Sequence, residues 1–186
     1  VMDRPMLARI NGLRAAVGAP QVHSVDAFLR RAPMMLVVGG EPFEYPQPGW
    51  GPRVHLIGAC AGDPQPAEVP DWLADIDLPI VLVTTSSIRQ ADSRLGLTAL
   101  AALADEPVHV VATFPAGVPE GIVVPPNATV RQFVPHGPVL DRAVCAITHG
   151  GMGATLRALD RSVPVCVVPF GRDQHEGETI GDLLEA

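Results

Sequence analysis

Five short apolar runs alternating with helical stretches predict an α/β fold with a Rossmann-like, doubly wound parallel sheet over residues 74–186. Three observations carry that expectation. The runs at 80–84, 109–112, 130–134, 144–148 and 163–168 are rich in Val, Ile and Leu, as strands covered on both faces are. The segments between them show helical spacing of apolar residues, such as Leu95, Leu100 and Leu103. Pro and Gly, 20 and 18 of the 186 residues, punctuate the runs at regular intervals, the pattern of short loops rather than of disorder.

Taken in order, Leu7, Ile10, Leu13 and Val17 recur at helical spacing, and Ser24 is placed to cap a second short helix running to Arg31. Met34 to Val38 and Val54 to Ile57 read as short buried strands, separated by a loop stiffened by Pro42, Pro46, Pro48 and Pro52. Residues 61–73 combine prolines with acidic residues and little apolar content, the composition of an extended linker. A boundary there separates residues 1–60 from a larger domain over 74–186. In that domain Ile80 to Thr84 is the first strand, Ser93 to Ala104 a helix and His109 to Ala112 the second strand. Val130 to Val134 follows as a strand, Pro138 to Arg142 as a helix and Val144 to Thr148 as a strand. A helix from Gly150 to about Asp160 and a strand from Val163 to Val168 complete the alternation. Right-handed crossovers place helices on both faces of such a sheet, and ligands bind outside the carboxyl ends of its strands. The loops after residues 84, 134, 148 and 168 are therefore the functional candidates.

Composition narrows the partners. Twenty acidic against 13 basic residues give a formal charge of -7, and no basic stripe is present to neutralise a nucleic-acid backbone. No apolar run approaches the ~20 residues needed to span a bilayer, so any membrane contact is peripheral. Cys60, Cys145 and Cys166 are scattered, and the last two sit in apolar runs; they read as reduced core thiols of a cytoplasmic protein.

The strongest chemical signal runs from Ile147-Thr148 through His149-Gly150-Gly151-Met152-Gly153 to Ala154-Thr155-Leu156, a strand leading through glycines into a helix. Glycines let backbone approach a ligand, and the first helical amides lack internal partners and carry the positive end of the dipole. A diphosphate suits that pole; His149 can add a hydrogen bond and the Thr155 hydroxyl can reach a phosphate oxygen. Taken alone, the glycines serve equally well as a simple tight turn. Asp173 and Gln174 after the last strand can bond several sugar hydroxyls at once or form a solvated turn. Thr84-Thr85-Ser86-Ser87 offers hydroxyls and turn amides to an anion. Phe133 either holds a pyrimidine base or packs in the core.

Phe133-Val134-Pro135-His136, Thr148 through Gly153, Ser162-Val163-Pro164 and Pro169 through Gln174 stand in an order and spacing that resembles the donor-binding signature of the UDP-glycosyltransferase superfamily. Within it the chain is most similar to the actinobacterial branch that glycosylates macrolides and other natural products. Pro42-Phe43-Glu44-Tyr45-Pro46, Val54 to Gly58 and the Thr85-Ser86-Ser87 loop extend the likeness over about residues 33–176. The resemblance implies a GT-B architecture, two Rossmann-like domains facing across a cleft, with residues 1–60 the tail of the N-terminal acceptor domain and 74–186 the C-terminal donor domain, shorter than in the family. It implies inverting transfer of a hexose from a UDP- or dTDP-sugar to a hydroxyl of a small lipophilic acceptor. Phe133 and Val134 would contact the base, and Ser86 and Ser87 would lie near the phosphates. His149 with the turn of Gly151, Met152, Gly153 and Thr155 would hold the diphosphate, and Asp173 and Gln174 the sugar. No metal or other cofactor is implied.

Departures from the family are local. Ser162 stands where a glycine is usual, and Arg157 where plant members place a ribose-binding Glu. The resemblance ends after Glu176. The general base belongs to the early part of the N-terminal domain, and His23, His55 and His109 do not match its position. Asp75-Ile76-Asp77 spells a metal-binding pattern, but it precedes the first strand, at the edge away from the expected ligand. A dinucleotide-dependent oxidoreductase would place a G-x-G-x-x-G after the first strand, where Thr84-Thr85-Ser86-Ser87 stands. The rival reading is a truncated, non-catalytic nucleotide-binding fragment.

Overall fold

The computed structural model describes residues 3–40, 48–60, 69–88 and 91–171. Its described residues up to 58 form one compact unit and those after it another. In the first unit α1 (Asp3–Ala16) and α2 (Val25–Leu29) precede a parallel pair of strands, β1 (Met35–Val37) and β2 (Val54–Leu56). Ser24 caps α2 as expected: its backbone is extended and its hydroxyl accepts the Ala27 amide at 2.9 Å. On α1 the inward face is narrower than its periodicity suggests. Leu7 and Ile10 are half-buried, whereas Leu13 and Val17 stay exposed. The helix is instead tied by Asn11, whose side chain bonds both the amide and the carbonyl of Val22.

The second unit holds α3 (Asp71–Ala74), β3 (Ile80–Thr84), α4 (Ser93–Ala102), β4 (His109–Thr113), β5 (Ala128–Arg131), α5 (His136–Leu140), β6 (Ala143–Thr148), α6 (Met152–Asp160) and β7 (Val165–Val167). The five strands are all parallel, in the order β5-β4-β3-β6-β7, which is the Rossmann-like doubly wound sheet expected. Strand β3 is buried at all five positions, and its alternate residues feed two cores. Ile80 and Leu82 join Leu73, Val139, Leu140, Ala158 and Val163 on one face. Val81 and Val83 join Ala99, Leu100, Val110 and Phe114 on the other. Arg142 ties α3 to the turn that follows it, donating to the carbonyls of Leu73 and Ile76.

Four expectations need correction, the first being that β1 and β2, read as buried strands, leave Leu36 and Leu56 exposed. The stretch 61–73 read as a linker has its last three residues in α3, and Leu73 is fully buried, so a side chain placed in the linker belongs to the core. The third strand of this sheet runs from Ala128 to Arg131 rather than from Val130 to Val134. Its ladder with β4 ends at Thr113–Arg131, after which Val134 turns into the core. Cys166 is exposed and Cys145 half-buried; β7 lies at the sheet edge, so its alternate residues face outward. Burial, and then proximity to Cys166, push the Cys145 thiol up from its ordinary value. Among the described residues no helix is long and apolar enough to cross a membrane.

Two backbone positions set stability. A Cβ on Gly96 would lie 2.5 Å from the ring of Phe114, itself only 1% exposed, so the ring has nowhere to retreat. Gly96→Ala is expected to destabilise the fold by about 1–3 kcal/mol, measured by urea unfolding. Ser162 ends α6 in the left-handed region at φ 56°, with its amide on Leu159 O and that of Val163 on Ala158 O, both at 2.9 Å, the hydrogen-bond pattern that usually selects glycine. Ser162→Gly is expected to stabilise the chain by about 1 kcal/mol, read as a raised urea midpoint with unchanged slope.

Candidate functional site

The strand order runs outward from β3 through β4 to β5 and then resumes on the other side at β6. The order reverses between β3 and β6, and doubly wound sheets bind ligands at the carboxyl edge of such a switch point. Thr84 and Thr148 are register partners there. The loop after β3 therefore faces the loop after β6.

Most polar groups of the β3 loop are already satisfied. Thr113 Oγ1 donates to Thr84 Oγ1 at 2.9 Å and also lies 3.4 Å from His136 Nε2. The Thr85 amide and hydroxyl both go to Thr113 O, at 3.2 and 3.3 Å. The Ser86 amide donates to the carboxylate of Asp92, and Ser86 Oγ accepts the Ile88 amide at 3.0 Å. An oxygen that accepts there can still donate its own proton outward. Of the four hydroxyls in this loop, those of Ser86 and Ser87 remain for a ligand; Ser86 is buried and Ser87 exposed. Beside the loop is a cavity of about 440 Å³, whose walls include Thr85, Asp92, Ser93, Phe114 and Glu120.

Across the switch point, Gly150 takes φ 85°, a conformation that admits glycine at little cost, and its amide donates to Thr148 Oγ1 at 2.9 Å. The chain then enters α6 from Gly151, and no side chain caps the helix. Its opening amides lie at the positive end of the helix dipole. The turn is open, since Gly153 is exposed and Gly151 and Met152 are half-buried. His149 is 9% exposed and its ring lies against this turn: a Cβ on Gly151 would stand 2.4 Å from Nε2. Its Nδ1 is buried without a hydrogen-bond partner among the described residues. Thr155 corrects an expectation. It is almost fully buried, with its hydroxyl 3.4 Å from Thr148 Oγ1, so it braces the turn from behind and does not reach outward. Being one full turn into the helix, it faces the strand.

At the other end of the edge Phe133 is 74% exposed while Val134 is buried in the core. The core-packing alternative for Phe133 is thereby overturned: Val134 takes the inward place and presents Phe133 to the surface. Asp173 and Gln174 lie outside the described residues, as does Arg172. The metal-like pair Asp75 and Asp77 sits at the amino end of β3, with both residues exposed and Ile76 buried between them. His109 is also at an amino end, bonded to Thr129 Oγ1 at 2.9 Å, and burial holds its imidazole below the usual value of 6.5. Sequence reasoning missed Asp92 and Thr113. An Asp directly ahead of a helix was the available signal for the first; the second shows only once strands β3 and β4 are paired.

The fold is that of a Rossmann-like α/β domain of the GT-B type. The chain is 33% identical over 183 residues to 4'-demethylrebeccamycin synthase of Lentzea aerocolonigenes, covering 95% of the chain and 43% of that protein. It is 28% identical to demethyllactenocin mycarosyltransferase of Streptomyces fradiae, over 68% of the chain and 28% of that protein. The crystal structure of the glycotransferase of kitacinnamycin matches with a TM-score of 0.70 and 25% identity, over 97% of the chain and 48% of that structure. No protein-family model matches the chain. The chain thus resembles the C-terminal portion of glycosyltransferases from actinobacterial natural-product pathways, and it spans less than half the length of these curated relatives.

The imidazole and the glycine turn are mutually constrained. Gly151→Ala is expected to displace the His149 ring and cost about 1–3 kcal/mol in urea unfolding. Gly153→Ala, whose Cβ would meet nothing nearer than Arg157 Nη1 at 3.9 Å, is expected to be neutral or slightly stabilising. Equal losses in the two variants would contradict the constraint.

Proposed function

We propose that the chain is the nucleotide-sugar-binding half of an inverting glycosyltransferase, which moves a hexose from a UDP- or dTDP-sugar to a hydroxyl of a small lipophilic acceptor. One observation carries the reading: the open start of α6, with the His149 ring laid against Gly151, faces Ser86 and Ser87 across the switch point of the sheet. A pyrophosphate placed there meets helix amides, an imidazole and two hydroxyls, all of which can donate to it.

The base lies toward Phe133. Strand β5 is three strand spacings from β6, roughly 14 Å at about 4.8 Å each, so base and diphosphate occupy opposite ends of one edge. Phe133 offers its face to the pyrimidine, and the backbone at Val134 offers edge contacts. Met152 and Gly153 supply the turn amides, and Asp173 and Gln174 bond the sugar hydroxyls. The departing diphosphate gains charge as the glycosidic bond to it breaks, and donors fixed before the reaction stabilise that charge without reorganising. In this reading no metal is required, because the Asp75 and Asp77 carboxylates stand at the amino edge, away from the phosphates. The base that deprotonates the acceptor belongs to the N-terminal domain, and the protein is placed in the cytoplasm.

Calorimetric titration with UDP and dTDP tests the donor site. His149→Ala is expected to weaken diphosphate binding by about 1.5–3 kcal/mol, the range for a hydrogen bond to a charged group. Phe133→Ala is expected to cost about 1–3 kcal/mol through lost stacking. Absence of heat with either diphosphate would remove the assignment. Nucleotide binding without release of diphosphate from a nucleotide-sugar, in the presence of a lipophilic alcohol, would favour a non-catalytic chain.

A further inference from the structure

We infer that Asp92 is a positioning residue for the phosphate end of this site, acting through Ser86; the inference rests on the donor site proposed above. Asp92 stands at the N-cap position of α4, yet its side chain makes no capping bond to the helix. It is only 4% exposed. Its carboxylate reaches back over the loop and accepts the Ser86 amide. A buried carboxylate needs such a partner, and the helix would have supplied one close by. The bond to Ser86 thus serves the loop and not the helix.

What it does there follows from the remaining bonds. With its amide held by Asp92 and its Oγ accepting the Ile88 amide at 3.0 Å, Ser86 has its backbone fixed and its hydroxyl proton left to donate. Because that oxygen already accepts on one side, its own proton is left to be donated to a bound group. Without the Asp92 acceptor, the Ser86 amide loses its partner and the hydroxyl loses its fixed direction. Asp92 therefore does not touch the diphosphate. It decides whether Ser86 can.

The test uses the 186-residue chain, with UDP and dTDP and the matching free nucleosides titrated by ligand-observed NMR, which also reads weak binding. Asp92→Ala is expected to weaken diphosphate binding about tenfold and to leave nucleoside binding within about twofold. Asp92→Asn, which keeps an oxygen acceptor in place, is expected to recover affinity to within about threefold of the parent. The double variant Asp92→Ala/Ser86→Ala is expected to lose no more than Asp92→Ala alone, because the two residues act as one unit. If Asp92→Ala does not fold, Asp92→Glu moves the acceptor by one methylene and reads the same loss. Diphosphate and nucleoside weakened in equal proportion, additive losses in the double variant, or no loss at all would each overturn the inference. Failure of the parent chain to bind either diphosphate would instead overturn the donor site itself.

Discussion

The pairing of β3 with β6 is the constraint on which the rest of the second unit depends. Their register sets Thr84 beside Thr148, and it does so because β3 is buried on both faces and has no freedom to slip. A shift by one residue would exchange Ile80 and Leu82 with Val81 and Val83 between two cores packed against different helices. Since the chain winds outward to β5 and returns to β6, this pair is also where neighbouring loops diverge. Hydrophobic burial in the sheet thereby positions polar groups at its edge.

At that edge the hydrogen-bond accounting separates structure from site. Thr84, Thr85, Thr113 and Thr148 spend their side chains on one another and on nearby backbone, which stiffens the rim but leaves little for a ligand. What remains is a small set of donors: the hydroxyls of Ser86 and Ser87, the first amides of α6 and the His149 ring. Buried polar groups seek partners, so His149 Nδ1, unpaired among the described residues, is the exception that calls for an explanation. The donor site proposed above uses the other ring nitrogen, Nε2, which lies against Gly151. The strain at Ser162, by contrast, lies at the far end of α6 and touches none of these donors.

Much of this was legible in the sequence because period and punctuation report burial directly. The strand at Ile80–Thr84, the one from His109 (read one residue short, at Ala112) and the glycine turn after Thr148 could be read in that way. Strand β5 was displaced because Val134 is apolar for the sake of the core and not of the ladder, and hydrophobicity alone does not tell the two apart. Cys166 misled for a related reason: an edge strand carries apolar residues on a face that stays open. The roles of Thr155 and Asp92 were hidden because each depends on which way a side chain turns, a choice made by partners distant in sequence or across a loop. Phe133 shows the converse. Its exposure is unusual for an aromatic beside a buried valine, and only coordinates reveal which of the two faces inward.

Helix α4 links packing to the site. Near its middle, Gly96 lets the helix approach Phe114 closely enough that no side chain fits between them, and Phe114 directly follows β4. At its start, Asp92 holds the Ser86 amide. The helix is thus pinned to the sheet at one point and to the ligand loop at another, with less than two turns between. Interiors packed this densely transmit displacement with little loss. A change under the middle of α4 must move either the ring of Phe114 or the helix itself, and moving the helix moves the acceptor that orients Ser86. Stability and the phosphate affinity proposed above are therefore coupled through this element.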